Sequence, residues 1–288
     1  MRLLTNSEVR TYRDCPKKHY YAYNRGYRPV ETPHALRFGF LVHVMLEAYL
    51  LDKVPDFTDS EVDEVDMAKA EEMMAGYKIR WENDGLKVIE VEREFIVPLI
   101  NPETGAASRT FRVGGKIDAI VKRDGDTFIM EHKTSSMDIS PGSDYWEALK
   151  LDQQISIYYM GAKSVGYDVH GCIYDVLRKP MHRLGKKDSS VEDFRVRVNA
   201  AIAEDPTKYY RRGDIVRFEE EEKEGAFDLW QQAKMIRESE RLKRWPRNPN
   251  ECLRFGRCPY FEVCCGQESI VNTHKFRRKE KTHEELST

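Results

Sequence analysis

Residues 115–134 read GKIDAIVKRDGDTFIMEHKT and contain the signals that decide the fold. Two runs rich in β-branched and apolar residues flank Asp124-Gly125, a pair that favours a two-residue hairpin turn. The register set by this turn places Asp118 opposite Glu131. Directly opposed carboxylates repel each other, so a fold retains such a pair only where a positive charge lies between them. We therefore expect a divalent cation at this position.

Side-chain alternation assigns the second strand of this hairpin to two faces. One face carries Phe128, Met130 and His132, and the other carries Ile129, Glu131 and Lys133. Two carboxylates and an ammonium on one sheet face suit phosphodiester hydrolysis, because carboxylates bind Mg²⁺ or Mn²⁺ and a lysine can orient the attacking water. An exposed salt-bridge cluster around Lys133 is the alternative, since Glu-x-Lys is a short and common string.

The surrounding pattern alternates helices and strands. Hydrophobic periodicity predicts helices over residues 5–14, 38–49, 61–83, 146–162 and 227–244. Runs of β-branched and aromatic residues predict strands over 88–97, 111–122, 127–133 and 172–177. Thr5 with Glu8, and Thr58 with Glu61, have the spacing of capping boxes. We expect an α/β fold with a central mixed sheet flanked by helices, and a charged tail from Thr273 that is frayed or binds a partner.

Composition limits the classes of protein to consider. The 288 residues are 40% hydrophobic and 33% charged, which is ordinary for a water-soluble domain. We expect no membrane span, because no stretch approaches the length of apolar sequence that a bilayer requires. The N-terminus lacks a signal-peptide pattern, so we expect a cytoplasmic protein with reduced thiols.

The distribution of charge indicates that any surface for nucleic acid is confined to part of the protein. The formal net charge is -2, yet residues 1–40 contain eight basic and three acidic residues. A solvated charged face is the alternative on charge alone. The candidate DNA-binding residues are Arg10, Arg13, Lys17, Lys18, Arg211 and Arg212, with residues 241–247 as a further basic segment.

Three of the six cysteines form a Cys-x5-Cys-x5-Cys pattern at Cys252, Cys258 and Cys264. Three spaced thiolates need a fourth ligand, and Cys15 is the obvious donor because Cys172 lies in an apolar strand. Such a site can hold zinc or an iron–sulfur cluster, and spacing does not choose between them. Scattered reduced thiols are the alternative.

Several motifs in chain order resemble those of the RecB-like branch of the PD-(D/E)XK nucleases. The matching segments are residues 4–7 with Tyr12, 15–21, 39–43, 91–95, 115–118, 131–134 and 154–158. The resemblance implies a restriction-endonuclease-like fold. It also implies that Mg²⁺ or Mn²⁺ is bound by His43, Asp118, Glu131 and the backbone carbonyl of His132.

The same resemblance identifies further catalytic residues beside Asp118 and Glu131. Lys133 corresponds to the catalytic lysine, and Gln154 with Tyr158 corresponds to the Gln-x-x-x-Tyr motif on the next helix. These two residues lie one turn apart on a helix and so can enter the same cleft. Gln153 competes for this role, but only Gln154 has a tyrosine at the required spacing.

The cysteine layout resembles that of CRISPR adaptation nucleases and AddB-type nuclease domains. In those proteins an N-terminal cysteine and three C-terminal cysteines bind a [4Fe–4S] cluster, which implies Cys15, Cys252, Cys258 and Cys264 here. The spacing departs from the usual Cys-x2-Cys-x5-Cys and leaves Cys264 and Cys265 as competing ligands. We expect one domain over residues 1–268, with its termini joined by this cluster, and a tail over 269–288.

The resemblance implies a metal-dependent DNA nuclease that acts as an exonuclease on single strands or duplex ends. Recombination, repair and CRISPR adaptation, in a prokaryotic or phage-infected cell, remain open as pathways. A helicase, a recombinase or a CRISPR adaptation protein would be a separate partner, since no phosphate-binding Gly-x-x-x-x-Gly-Lys-Ser/Thr loop occurs. The alternatives are an RNA or structure-specific nuclease and a non-catalytic, metal-stapled DNA-binding subunit.

Overall fold

The computed structural model describes residues 1–57, 62–254, 256–283 and 286. Its strands are β1 (Arg2–Leu4), β2 (Tyr27–Pro29), β3 (Lys87–Ile100), β4 (Ala107–Arg123), β5 (Asp126–Ser135), β6 (Gly171–Arg178), β7 (Tyr210–Ile215) and β8 (Phe276–Arg278). Its helices are α1 (Asn6–Asp14), α2 (Pro16–His19), α3 (His34–Leu50), α4 (Glu64–Arg80), α5 (Asp144–Leu149), α6 (Gln153–Ser164), α7 (Val191–Glu204), α8 (Pro206–Tyr209), α9 (Glu219–Leu242) and α10 (Phe261–Cys264).

The central sheet is mixed, as the sequence predicts, and has six strands among the described residues, which add β1 and β7 to the four predicted strands. Strand β3 runs antiparallel along β4, while β1 pairs in parallel with residues 111–113 and β5 pairs antiparallel with residues 119–123. Strand β6 lies parallel to β5, and β7 lies antiparallel to β6. Since β1 and β5 share one edge of β4, residues 114–118 lie in the opening between them.

The hairpin between β4 and β5 confirms the predicted turn. Asp124 and Gly125 both have positive φ angles, 53° and 96°, as the tightest hairpin turns require. The predicted register holds as far as the pair of Ala119 with Met130. The predicted opposition of Asp118 and Glu131 is wrong, because the strands separate there and β5 continues in its pairing with β6.

Helices cover both faces of the sheet. Apolar residues of α1, α6 and α9 pack on one face, and those of α3, α4 and α7 form a second core towards the other. Helix α4 contributes Met73 and Tyr77 to this second core, where both are almost completely buried. Among the described residues, no helix combines the length and apolarity needed to cross a bilayer.

Two predicted helices have different bounds in the structure. The helix predicted over 146–162 is divided into α5 and α6, because the Asp152 carboxylate accepts the backbone N–H of Gln154 and caps a new helix. Helix α4 starts behind Asp63, whose side chain accepts two backbone N–H groups. The predicted capping box of Thr58 and Glu61 lies outside the described residues.

The two ends of the chain pack against each other. Strand β8 pairs antiparallel with β2, so the prediction of a frayed tail is wrong for residues 276–278. The Tyr260 ring stacks on Phe276 at 5.6 Å and on Tyr21 at 5.5 Å between centroids. Aromatic packing between distant segments therefore joins the termini, whereas the charge of the tail suggested an unattached arm.

A slot for the Phe95 ring fixes α6 against β3 and β4. A Cβ atom added at Gly161 would lie 2.5 Å from this ring, and one added at Gly115 would lie 2.7 Å from it. The ring also makes an edge contact with Tyr158, with centroids 6.2 Å apart. Both glycines are therefore required for α6 to approach the sheet closely.

We expect Gly161→Ala to lower the free energy of unfolding by about 1–3 kcal/mol, because the added methyl group overpacks a closed slot. This penalty exceeds the gain of about 1 kcal/mol that alanine brings to a helix. The measurement is the urea-denaturation midpoint. Lys163→Ala, at an exposed position of the same helix, is the control and should leave the midpoint nearly unchanged. A midpoint for Gly161→Ala equal to that of the control would contradict the slot.

Candidate active site

Asp118 lies in the opening between β1 and β5, where β4 and β5 separate. Its Oδ2 atom accepts the backbone N–H of His132 at 2.8 Å, and Nδ1 of His43 on α3 lies 3.8 Å from the same oxygen. Burial opposes ionisation, but hydrogen bonding to His132 and the positive charges nearby lower the pKa of Asp118. Asp118 is therefore a carboxylate held against the main chain of β5.

Glu131, Lys133 and Gln154 form a closed set of contacts. The Lys133 ammonium lies 2.5 Å from Oε1 of Glu131 and donates to Oε1 of Gln154 at 2.9 Å. The Gln154 amide donates to the same Glu131 oxygen at 2.8 Å and to the Tyr158 hydroxyl at 2.7 Å. The structure therefore brings these four predicted residues together, and Gln154 rather than Gln153 makes the contacts.

The two carboxylates of the site have opposite pKa shifts. Burial, and then the negative charge of Asp118, raise the pKa of Glu131, while Lys133 offsets only part of this shift. The Glu131 carboxylate is almost fully buried, and its Oε2 atom has no hydrogen-bond partner within the described structure. Among the described residues, Lys133 pairs with Glu131, while the partly buried Asp118 faces the imidazoles of His43 and His132. The ionised form of Glu131 therefore requires a further positive charge.

Residues that the sequence analysis missed hold α6 in place. Asp152 caps the helix, and its Oδ2 atom accepts the Tyr174 hydroxyl of β6 at 3.0 Å. This contact fixes the first turn of α6, which carries Gln154. An aspartate directly before a pair of glutamines is the sequence signal that identifies such a cap.

A second buried acid, Asp175 of β6, lies behind the site. Its Oδ2 atom lies 3.7 Å from Nε2 of His132, accepts the Tyr77 hydroxyl at 2.5 Å and pairs with Arg212 at 3.1 Å. His132 thus lies between Asp175 and Asp118. The sequence signal was a carboxylate inside the otherwise apolar run of residues 172–177.

Glu92 lies on β3 across from Asp118, since its two neighbours pair with Ala119 and Ile117. It has a φ angle of 56°, which is rare outside glycine, and its carboxylate pairs with Lys116. Burial raises the pKa of Glu92, and the Asp118 charge adds to that effect.

The predicted cysteine ligands are neighbours in the folded chain. Burial raises the pKa of the Cys264 thiol to about 11, and the nearby thiols of Cys258, Cys15 and Cys252 add to that shift. Cys265 is exposed. Even so, no three histidine, cysteine or acidic side chains in the described part of the chain are arranged to hold a metal ion as they stand.

The candidate DNA-binding residues lie in different environments. Arg10 and Arg13 are exposed on α1, and Lys17 lines a cavity near the end of α9. Lys18 lies close enough to Cys258 to lower the pKa of its thiol, although burial raises that pKa overall. Arg212 is mostly buried in ion pairs with Asp84 and Asp175, so its guanidinium is already occupied.

Comparison with solved structures shows similar folds. A candidate exonuclease from Eubacterium rectale has a TM-score of 0.54 and 11% identity, over 93% of this chain and 88% of that protein. The protein SSO0001 has a TM-score of 0.44 and 16% identity over 93% and 89%, and a phage-related exonuclease from Haemophilus somnus 129PT has 0.36 and 15% over 82% and 96%. No curated protein matches the sequence significantly.

A family model provides the stronger comparison. The model of the PD-(D/E)XK nuclease superfamily matches residues 4–265, which include every residue of the site described above and all of the central sheet except Arg2 and Leu3 of β1. The chain therefore belongs to the PD-(D/E)XK nuclease superfamily.

Proposed function

We propose that this protein is a metal-dependent deoxyribonuclease with its active site at Asp118, Glu131 and Lys133. The observation that carries the proposal is the charge deficit at buried Glu131. Its Oε1 atom pairs with Lys133, its Oε2 atom has no partner among the described residues, and the negative charge of Asp118 lies nearby. Buried charges are retained in proteins when they are paired or bind a metal ion. Family membership supports nuclease chemistry at this position.

The donor atoms fit a hard divalent cation. Carboxylate oxygens are the preferred ligands of Mg²⁺ and Mn²⁺, and burial lowers the pKa of His43, which favours the neutral imidazole that a metal requires. Asp118, Glu131, His43 and the His132 carbonyl would hold the ion. A cation bound there would polarise the scissile phosphate and promote deprotonation of the attacking water.

The remaining residues position the reacting groups. Lys133 keeps its positive charge because the adjacent Glu131 outweighs the effect of burial and raises the pKa of its ammonium. It can therefore orient the nucleophile and offset charge that develops on the phosphate. Gln154 holds Lys133 and Glu131 in fixed relation through its two amide atoms. Tyr158 orients that amide from one turn further along α6.

DNA strands or duplex ends are the proposed substrate, and hydrolysis from an end is the proposed mode. The fold neighbour from Eubacterium rectale is described as a candidate exonuclease, which supports this choice over internal cleavage. The experiment incubates the protein with end-labelled single-stranded DNA, duplex DNA and RNA, in Mg²⁺, Mn²⁺ or EDTA. Release of short products from DNA only with metal is the expected result, and absence of cleavage in every condition would refute the proposal.

We also propose that Cys15, Cys252, Cys258 and Cys264 bind an iron–sulfur cluster. Support comes from the nearby thiols, which add to the raised pKa values of Cys258 and Cys264, and from the position of these two cysteines where the chain ends meet. Thiolate is the form that binds metal, so a bound cation removes the penalty that burial imposes on these groups. The cluster would add a covalent link to the aromatic packing of the termini.

Replacing Lys133 should abolish cleavage while the protein stays folded. We expect Lys133→Ala to reduce the rate of metal-dependent DNA hydrolysis by at least about 100-fold, because charge on the phosphate loses its stabilising partner. Lys122→Ala removes an exposed lysine from the adjacent strand and should retain full activity. Equal rates for the two variants would contradict a catalytic role for Lys133.

Gln154→Ala tests the positioning role of the amide. We expect the rate of hydrolysis to fall by about tenfold or more, with little change in DNA affinity, because Lys133 and Glu131 lose their common partner. Tyr158→Phe should have a smaller effect, since it keeps the ring contact with Phe95 and removes only the hydroxyl. The assay is single-turnover cleavage at saturating DNA. A loss of affinity without a loss of rate would assign Gln154 to binding.

Cysteine variants test the cluster. We expect Cys15→Ser to lose iron and visible absorption in anaerobically purified protein and to lower thermal stability, because one of four ligands is absent. Cys265→Ser is the matched control and should retain both, since that residue is exposed. Iron and zinc are measured by elemental analysis. Zinc in place of iron would identify a zinc site, and absence of both metals from wild-type protein would refute the proposal.

A further inference from the structure

A cavity of about 550 Å³ opens near the end of α9 and shares no residue with the active site. Three separate segments form it, at residues 17–21, 243–247 and 264. We call it the basic cavity. The side chains that define its character are Lys17, Tyr20, Lys243, Arg244, Trp245 and Arg247. We propose that the basic cavity is a subsite for single-stranded DNA, in which a base stacks on the aromatic side chains and phosphates contact the cations.

No carboxylate of the described residues compensates the positive charge of the basic cavity. No aspartate or glutamate lines it, and no ion pair joins Lys17, Lys243, Arg244 or Arg247 to a carboxylate in the described part of the chain. Other arginines of the protein, such as Arg195 and Arg197, do form ion pairs. Because the formal net charge of the chain is -2, attraction for a polyanion must come from a local patch of this kind.

The aromatic part of the cavity provides a platform for a base. The rings of Tyr20 and Trp245 lie 4.3 Å apart between centroids, and both residues are only partly buried. The Lys17 ammonium lies over the Tyr20 ring, 4.7 Å from its centroid, so a cation and the two rings share one wall of the cavity. Aromatic faces flanked by cations are the common features of sites that bind single strands without reading their sequence.

The backbone at Lys243 gives independent support. This residue follows the last turn of α9 in a left-handed conformation, with a φ angle of 53°. Glycine is the usual residue at such a position, because a side chain makes the conformation strained. The helix dipole favours a positive charge near the end of α9. It does not explain why that charge is on the residue with the left-handed backbone, where glycine is usual. Strained residues of this kind cluster at binding sites, which agrees with a role for the Lys243 side chain.

The size of the cavity matches this occupant. A volume of about 550 Å³ lies within the range of sites for single small ligands, so it can hold one nucleotide unit of a strand but not a duplex. The inference rests on the proposed function, because it assigns the cavity to the DNA strand that the nuclease cleaves. It adds a contact outside the catalytic residues, which would favour substrates long enough to reach both places.

The first test uses Lys243→Gly with Arg244→Gln, in a Lys133→Ala background that prevents cleavage. Glycine suits the left-handed backbone, so this variant removes two charges without straining the fold. Fluorescence anisotropy with a labelled single-stranded oligonucleotide should show affinity reduced by about tenfold or more. The slope of log affinity against log salt should decrease by about 1.4, because each lost phosphate contact contributes about 0.7. The control is Lys234→Gln with Arg237→Gln, which removes two exposed positive charges from α9 itself.

The second test addresses stacking with an abasic oligonucleotide of equal length. The Lys133→Ala protein should bind the normal oligonucleotide at least about fivefold more tightly than the abasic one. Trp245→Leu in the same background should remove this preference while the salt dependence stays unchanged. If Trp245→Leu does not fold, the DNA affinity of the variant with Lys243→Gly and Arg244→Gln decides whether the subsite exists.

Two outcomes would overturn the inference. One is a charge variant that binds DNA as tightly as its control. The other is a pair of results: polyglutamate displaces the labelled oligonucleotide as effectively as unlabelled DNA does, and the protein binds normal and abasic oligonucleotides equally well. These results would make the cavity a general anion-binding surface. Cleavage is measured separately on wild-type protein. If that protein cleaves no nucleic acid but the variants lose DNA affinity as expected, the proposed nuclease function is refuted and the subsite is supported.

Discussion

The carboxylates of Asp118 and Glu131 lie where β4 and β5 separate, and the Lys133 ammonium contacts the buried Glu131. Burial, and then the negative charge of Asp118, raise the pKa of Glu131, so Lys133 leaves its ionised form short of positive charge. This deficit is costly for folding and is therefore informative about chemistry, because burial of unpaired charge is tolerated mainly where function requires it. The strand order of the sheet produces this deficit of positive charge. Strands β1 and β5 share one edge of β4, and the opening between them exposes Asp118 to a ligand.

The surrounding structure makes the site rigid. Helix α6 brings Gln154 to Lys133 because Asp152 fixes its first turn and the Phe95 ring fits between glycines of the helix and the sheet. From the other face, Asp175 contacts His132, whose backbone N–H holds Asp118. Functional groups held by packed elements and by a further layer of hydrogen bonds keep their geometry without cost at the moment of reaction. The glycine slot and the helix cap therefore fix the position of α6, and the position of α6 fixes the contacts of Lys133.

Local sequence signals predicted the parts of the fold that depend on local chemistry. Asp124-Gly125 identified the hairpin, and its register held as far as Ala119 and Met130. The point at which β5 leaves β4 was not predictable, because it depends on pairing with β6, which is distant in sequence. The prediction of one continuous helix over 146–162 is wrong at Asp152, because the aspartate side chain caps a new helix there despite the helical spacing of apolar residues. The pairing of β8 with β2 depends on aromatic contacts between the chain ends, which local composition does not record. At the site, the spacing of Gln154 and Tyr158 indicated the glutamine that contacts Lys133 and Glu131, whereas the positions of Asp175 and Glu92 required the three-dimensional structure.

Binding of Mn²⁺ to the full-length protein, followed by electron paramagnetic resonance, tests the central claim most directly. The account predicts a saturable Mn²⁺ site in wild-type protein that is strongly weakened in Asp118→Asn. Asp126→Asn, which changes an exposed carboxylate of the same hairpin, should leave binding unchanged. Equal Mn²⁺ affinity in Asp118→Asn and wild-type protein, or no saturable binding to either, would contradict a cation site between Asp118 and Glu131.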